Sequence, residues 1–409
     1  MNTTDITASP RESRGPASAS VPWAARTVLK TLGRLSQGRL QLSLPDGTRC
    51  DFGQPGGLCA SIDIRDWNAF RAILASGDVG FGEAYLSGQW NTPDLGALLT
   101  LVATNRAALE NAVYGSTLGR LTYVVRHWLN ANTRRGSRRN IAAHYDLGND
   151  FYRLWLDASM TYSSGLFAGD LSRTLPDAQR AKYRRILGRL GPKRGDHILE
   201  IGCGWGGFAE VAACEFGCRV TGLTLSREQR AYAQARMRAA GVGDRVAIEL
   251  VDYRDVSGHF DHVVSIEMFE AVGERFWPAY FGTIGRVLRP KGRAVIQAIT
   301  IDDVLFARYR RGTDFIQQFV FPGGMLASPS RFAAEAKAAG VAIIDAFAFG
   351  MDYAETLRRW RQLFVSHLPK VRSLGYDERF VRLWEFYLAY CEAGFTSRCT
   401  DVYQFELSR

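Results

Sequence analysis

Apolar and polar positions alternate along this chain in two distinct ways. From Asp196 onward, short apolar runs of strand length are separated by helical patterns. The first run, Asp196-His-Ile-Leu-Glu-Ile-Gly-Cys-Gly-Trp-Gly-Gly207, stops abruptly in glycines and predicts a strand, a tight turn and a helix. A second run, Cys218 to Gln229, predicts another strand leading into another helix. Further strands are expected at Val246–Val251, His262–Ile266, Arg293–Ile299 and Val341–Phe347, and a helix at Pro176–Leu190 stops at Gly191-Pro192. This alternation predicts an α/β fold with a mostly parallel sheet covered on both faces. Ligands of such sheets bind beyond the carboxyl ends of the strands, so Gly202, Asp252-Tyr-Arg254 and Glu267-Met-Phe-Glu270 are expected to face one crevice.

Before residue 120 the pattern is finer. A helix near 25–36, strands at Leu40–Leu44, Arg49–Phe52 and Ile62–Ile64, and a helix from Asp66 predict a smaller α/β unit. Gly77 to Trp90 is glycine-punctuated and aromatic; it reads as a turn and helix packed on the next domain, with lipid or partner contact as the other reading. Residues 132–140 hold four arginines. The stretches Ile141 to Tyr152 and Trp155 to Phe167 mix polar and aromatic residues without helical periodicity, as a segment covering a ligand would. The expected division is a disordered tail 1–20, a small amino-terminal domain 21–125 contacting lipid or a partner, a basic linker 126–140 and a catalytic domain 141–409.

The formal charge of +10 calls for an anionic partner, either nucleic acid or an acidic membrane surface. The Asn-Pro-Pro-Tyr and Asp-Pro-Pro-Tyr signatures of base methyltransferases do not occur, which argues against nucleic acid. Seven scattered cysteines, without paired zinc spacing, suit a reduced cytosolic chain with no structural metal. No apolar run reaches spanning length, so the expectation is a cytoplasmic protein, peripheral on the inner face of the membrane.

Gly202, Gly204 and Gly206 allow positive φ and close approach of a nucleotide-like ligand. A dinucleotide fold would place Asp or Glu after the second strand for the ribose. This chain has Thr224 and Gln229 there, which points to S-adenosylmethionine (SAM) rather than nicotinamide. No Walker-type loop occurs, which removes an NTPase.

Five motifs together identify a resemblance: His144-Tyr-Asp-Leu-Gly-Asn-Asp-Phe-Tyr152, Met160-Thr-Tyr-Ser163, Leu199-Glu-Ile-Gly-Cys-Gly-Trp-Gly206, Gly222-Leu-Thr-Leu-Ser226 and Met268-Phe-Glu-Ala-Val-Gly273. Over roughly residues 60–400 the chain resembles cyclopropane-fatty-acyl-phospholipid synthases and mycolic acid methyltransferases. The Gly77 to Trp90 stretch resembles the amino-terminal domain of the bacterial phospholipid enzymes. The resemblance implies a class I SAM-methyltransferase, Rossmann-like sheet with a helical lid. It also implies SAM contacts from Tyr162, Ser163, Gly202, Gly204, Thr224, Leu225, Gln229, Tyr253 and Arg254.

The implied substrate is the cis double bond of an unsaturated phospholipid acyl chain, methylated through a carbocation. Phe269, Tyr309, Phe315, Phe319 and Tyr353 are candidates to line the cation's pocket. The resemblance further implies a bound bicarbonate as base, held by Glu270, Tyr353 and the Ile299 main chain, with Ser164 and Gln297 standing where the family has Cys and His. Those two changes favour an open-chain methylated or methylene product over a ring. A homodimer is compatible with the resemblance. A small-molecule N- or C-methyltransferase and a catalytically silent lipid-binding protein remain the alternatives.

Overall fold

The computed structural model describes residues 21–109 and 147–409. Near the amino terminus, β1 (Arg39–Ser43), β2 (Arg49–Gly53), β3 (Cys59–Ile64) and β4 (Trp90–Asn91) form a sheet in the order β2-β1-β3-β4. Alternate residues Leu40, Leu42, Ala60, Ile62 and Ile64 point into the core, as the period of two requires. The first helix runs Trp23–Leu32 and stops before the expected 36. Gly33 caps it, and a turn from Arg34 to Thr31 and from Leu35 to Leu32 brings Leu35 back into the core.

The larger sheet has seven strands: β5 (His197–Ile201), β6 (Arg219–Leu223), β7 (Val246–Glu249), β8 (Phe260–Ile266), β9 (Leu288–Ile301), β10 (Ala342–Ala348) and β11 (Thr400–Ser408). Their order is β10-β11-β9-β8-β5-β6-β7. β7, β6, β5, β8 and β9 are mutually parallel, and β11 pairs antiparallel with both β9 and β10. β11 is absent from the sequence expectation because Gln404 and Glu406 interrupt its apolar pattern. Both are buried and partnered: Gln404 donates to Gln297, and Glu406 accepts from Arg189 and Arg293.

The helix Leu175–Leu190 is started by Thr174, whose hydroxyl accepts from the Asp177 N–H, and is stopped by Gly191 in the left-handed region at φ 59°. The long helices Gly350–Ser366 and Glu378–Thr396 pack on each other, and Tyr353 on the first reaches Glu267 just beyond β8.

The Gly77 to Trp90 stretch is a turn at Gly77 (φ 61°) followed by the helix Asp78–Leu86. It docks on Glu378–Thr396. Tyr85 donates to Glu385, Tyr390 donates to Asp78, and Arg382 donates to the carbonyls of Tyr85 and Trp90. A Cβ at Gly82 would lie 2.3 Å from the Phe315 ring, so only glycine permits this approach. One apolar core runs from Ala24 through Phe386 to Val402 and joins the small sheet to the larger body. Among the described residues, no helix is long and apolar enough to cross a membrane, and no group of three or more His, Cys, Asp or Glu could hold a metal.

Candidate active site

β5 ends in the glycine turn. Gly202, Gly204 and Gly206 have φ of 84°, 51° and 85°, and the N–H groups of Gly202 and Cys203 donate to the Leu223 carbonyl at 3.0 and 2.9 Å. The turn is thereby pinned to the end of β6. A Cβ on Gly202 would meet Met268 at 2.8 Å and one on Gly206 would meet Ala233 and Met237 at 3.1 Å, but one on Gly204 would meet nothing within 4 Å. At Gly204 the backbone therefore borders open space. Trp205 donates from Nε1 to Asn149 Oδ1 at 2.7 Å, and Tyr152 packs on the same indole at 5.1 Å. The segment after residue 147 does pack over the turn, while His144 lies outside the described residues.

At the end of β6, Thr224 Oγ1 donates to Gln229 Oε1 at 2.8 Å and accepts from the Ser226 N–H at 3.1 Å. Ser226 in turn caps the helix Arg227–Ala239, so Leu225 is held half-buried on a rigid corner. β7 stops at Glu249 rather than 251, and the chain enters a short turn at Tyr253–Asp255. There Arg254 grips the buried Asp252 with two charge-assisted bonds of 2.8 and 2.6 Å. The crevice thus offers an open glycine backbone, an amide and hydroxyl pair, and a neutralised acid. Such a set suits SAM, which needs no phosphate-binding cations. Tyr162 shares a 2.7 Å hydrogen bond with Tyr387, whereas the Ser163 hydroxyl turns inward to accept from Lys182.

Two carboxylates follow β8, and their surroundings differ. Glu267 Oε1 accepts from the Ser164 N–H at 2.9 Å and from Gln297 Nε2 at 2.7 Å, and its Oε2 accepts from Tyr353 at 2.5 Å. Glu270 Oε1 accepts only the Ile299 N–H, and its buried Oε2 has no partner. Burial, reinforced by the charge of Glu267, pushes the Glu270 pKa up to about 8. Glu270 is therefore mostly neutral at pH 7. Burial also raises Glu267, while the charge of Lys182 and the three hydrogen-bond donors around the carboxylate oppose that effect.

The residues expected to hold bicarbonate are together, but their donors are committed. Tyr353 and Gln297 donate to Glu267, Ile299 to Glu270, and the Ser164 hydroxyl to the Gly165 carbonyl. Gln297 Oε1 is also taken, accepting from Gln404. An added anion would meet a carboxylate instead of free donors, so this arrangement does not fit bicarbonate.

Of the aromatic candidates, Tyr353 stands at the carboxylates, stacked on Phe395 at 4.4 Å. Phe269 is core, enclosed by Trp277, Tyr280, Phe281 and Phe332. Phe315 and Phe319 pack on each other, and Phe315 reaches Phe386; the Tyr309 hydroxyl accepts from Gln317 Nε2 and the Leu326 N–H. The sequence reading passed over Lys182, Gln179 and Tyr387. Lys182 is fully buried, donating to Ser163 and Gln179, and burial lowers its pKa despite the charges of Glu267, Asp157 and Glu200. Its signal was available, because Gln179 and Lys182 sit on the apolar stripe Ala178, Tyr183, Ile186 and Leu190 of their helix. Tyr387 gave none, since its role depends on a contact with Tyr162 across the chain.

The family described as mycolic acid cyclopropane synthetase matches residues 132–405. The tuberculostearic acid methyltransferase UfaA1 of Mycobacterium tuberculosis is 41% identical over 97% of this chain and 93% of its own. The cyclopropane-fatty-acyl-phospholipid synthase of Escherichia coli is 33% identical over 88% of this chain and 91% of its own. Among solved structures, the mycolic acid cyclopropane synthase CmaA1, complexed with SAH and CTAB, superposes with a TM-score of 0.62 at 31% identity, covering 66% of this chain and 98% of that one. With the strand order, the open glycine turn and the buried carboxylates in hand, the chain belongs to the mycolic acid cyclopropane synthetase family and is a SAM-dependent methyltransferase.

Proposed function

We propose that the enzyme methylates the cis double bond of unsaturated acyl chains in membrane phospholipids and releases an open-chain methylated or methylene-bearing product. The observation that carries this reading is an apolar cavity of about 220 Å³ between the small sheet and the larger body. Leu40, Leu42 and Ile62 line it on one side, and Ile301, Tyr309 and Thr400 on the other. Ile301, which lines it, lies two residues beyond Ile299 on β9, the strand whose Ile299 N–H bonds Glu270. A hydrocarbon chain is the ligand such a lining desolvates at least cost. The name of the 41% identical relative, a methyltransferase for a fatty acid, agrees with that substrate class.

When bound, SAM supplies an electrophilic methyl group, which an alkene accepts only by becoming a cation. The protein's part is to keep that cation dry and to receive its proton. Tyr353, with Phe395 and Trp360 packed on its ring, presents aromatic surface at Glu267, which favours positive charge.

Val102 lines the cavity and is half-buried. Val102→Trp should raise KM for unsaturated phospholipid vesicles about tenfold or more while SAM affinity holds, because about 1.4 kcal/mol of lost chain burial is already tenfold. An unchanged KM would move the chain elsewhere. Mass spectrometry of lipids from cells expressing the enzyme should show a gain of one CH2 on unsaturated chains.

The acidic membrane surface belongs to the same proposal. Binding to vesicles containing anionic lipid should weaken steeply with salt, since exposed arginines act through screened charge. Salt-insensitive binding would assign the contact to apolar insertion. Arg134, Arg135, Arg138 and Arg139, expected to contribute, lie outside the described residues.

A further inference from the structure

Glu267 breaks a local rule. It is a non-glycine residue at φ 50°, immediately after β8, a conformation that costs an L-residue about 1–2 kcal/mol. Its N–H still donates to the Gln297 carbonyl at 2.8 Å, so the backbone is anchored to β9 while the side chain swings inward. Such strain persists where surrounding structure over-determines it, and it concentrates at functional sites. Here the surroundings are three donors from three distant parts of the chain: the Ser164 N–H, the Gln297 amide and the Tyr353 hydroxyl.

These are donors that the family resemblance assigns to a separate anion. We infer that the Glu267 carboxylate replaces that anion and is the built-in base that removes the proton from the cationic acyl chain. The inference rests on the acyl-chain reading above and adds to it the identity of the base.

The carboxylate can do this chemically. Of its four lone-pair positions, the three donors occupy three, two on Oε1 and one on Oε2, which leaves one position on Oε2 for a proton. Glu270 is a weaker candidate because its free oxygen is buried without a partner. In the step itself, a C–H bond of the newly added methyl group breaks and its proton goes to Glu267 Oε2. After a hydride shift from the methylated carbon to its cationic neighbour, the electron pair of that C–H bond forms a C=CH2 double bond on the open chain. A cation and a carboxylate become a neutral lipid and a neutral acid, with no change of oxidation state that needs another reactant.

The test uses the full chain, SAM and vesicles of a cis-monounsaturated phosphatidylglycerol in carbonate-depleted buffer, with and without added bicarbonate. S-adenosylhomocysteine release and lipid mass are followed. Wild type should work equally well in both buffers. Glu267→Gln keeps the shape but not the base and should lose about a hundredfold or more in turnover, the scale of general-base catalysis, with SAM affinity retained. Glu267→Gly relieves the positive φ and vacates the carboxylate's place, so bicarbonate should now bind and restore about tenfold of the loss. Line broadening of 13C-labelled bicarbonate with Glu267→Gly, and not with wild type, reads the same event without turnover.

Wild type stimulated by bicarbonate, or Glu267→Gln active within about twofold of wild type, would overturn the inference while leaving the acyl-chain reading intact. So would a Glu267→Gly protein that binds SAM but neither binds bicarbonate nor is rescued by it. Wild type that modifies no unsaturated chain in either buffer would overturn the acyl-chain reading, and this inference with it.

Discussion

Gly204→Val is expected to abolish SAM binding, by about a hundredfold or more, in a protein that remains folded. A valine at φ 51° is strained by about 2 kcal/mol, a loss a domain of this size tolerates. Its side chain meets no protein atom within 4 Å of the Cβ position, so the bulk goes into the space where the backbone borders the ligand. The hydrogen bonds from Gly202 and Cys203 to Leu223 do not involve residue 204 and keep the turn in place. A matched control separates binding from folding. At Gly206 the added Cβ would press on Ala233 and Met237, so Gly206→Ala should lower Tm through packing. Calorimetric titration with SAM and thermal melts of the two variants should therefore show opposite patterns. Retained affinity in Gly204→Val would remove the cofactor from the glycine turn.

The strands around that turn were legible because β5, β6 and β8 are buried on both faces and read as nearly continuous apolar runs ending in glycine or polar residues. β11 was not legible, because its buried Gln404 and Glu406 are satisfied by Gln297 and by arginines from two other elements. The carboxylates show the same limit more sharply. Sequence placed both Glu267 and Glu270 at the end of β8, but which one receives the donors depends on one backbone angle and on Tyr353, a helix residue far along the chain. Gln297, standing where the family has His, donates its amide to Glu267. Phe269 illustrates the opposite error: an aromatic residue beside a site motif proved to be enclosed in core.

Glu270 makes the second large prediction, a pH-dependent one. Its folded pKa is about 8 because its charged form is buried, has one donor, and faces the charge of Glu267. In the unfolded chain a glutamate titrates near the ordinary value of about 4.3. Between these values the native state binds the extra proton. Stability from this group is thus fully present below the unfolded pKa and is lost as pH rises through about 8. Glu270→Gln imitates the protonated form and cannot ionise. Its Tm should match wild type near pH 5 and exceed it by several degrees near pH 9, the gap opening across the window between those pKa values. The comparison between variants is essential, since buried Lys182 titrates in the opposite sense: its pKa is lowered, so its contribution to stability rises with pH. Tyr280 and Tyr309 also feel the charge of Glu270, but both hydroxyls are pushed well above the usual tyrosine range and stay neutral throughout this window. Turnover measured on the same samples asks whether the charge of Glu270 helps the reaction. Glu270→Gln should cost less than about tenfold at pH 7, where Glu270 is already mostly protonated. A Tm difference that stays constant with pH would show that Glu270 titrates as an ordinary carboxylate, and a hundredfold loss of turnover at pH 7 would make Glu270 the charged group at the chemistry.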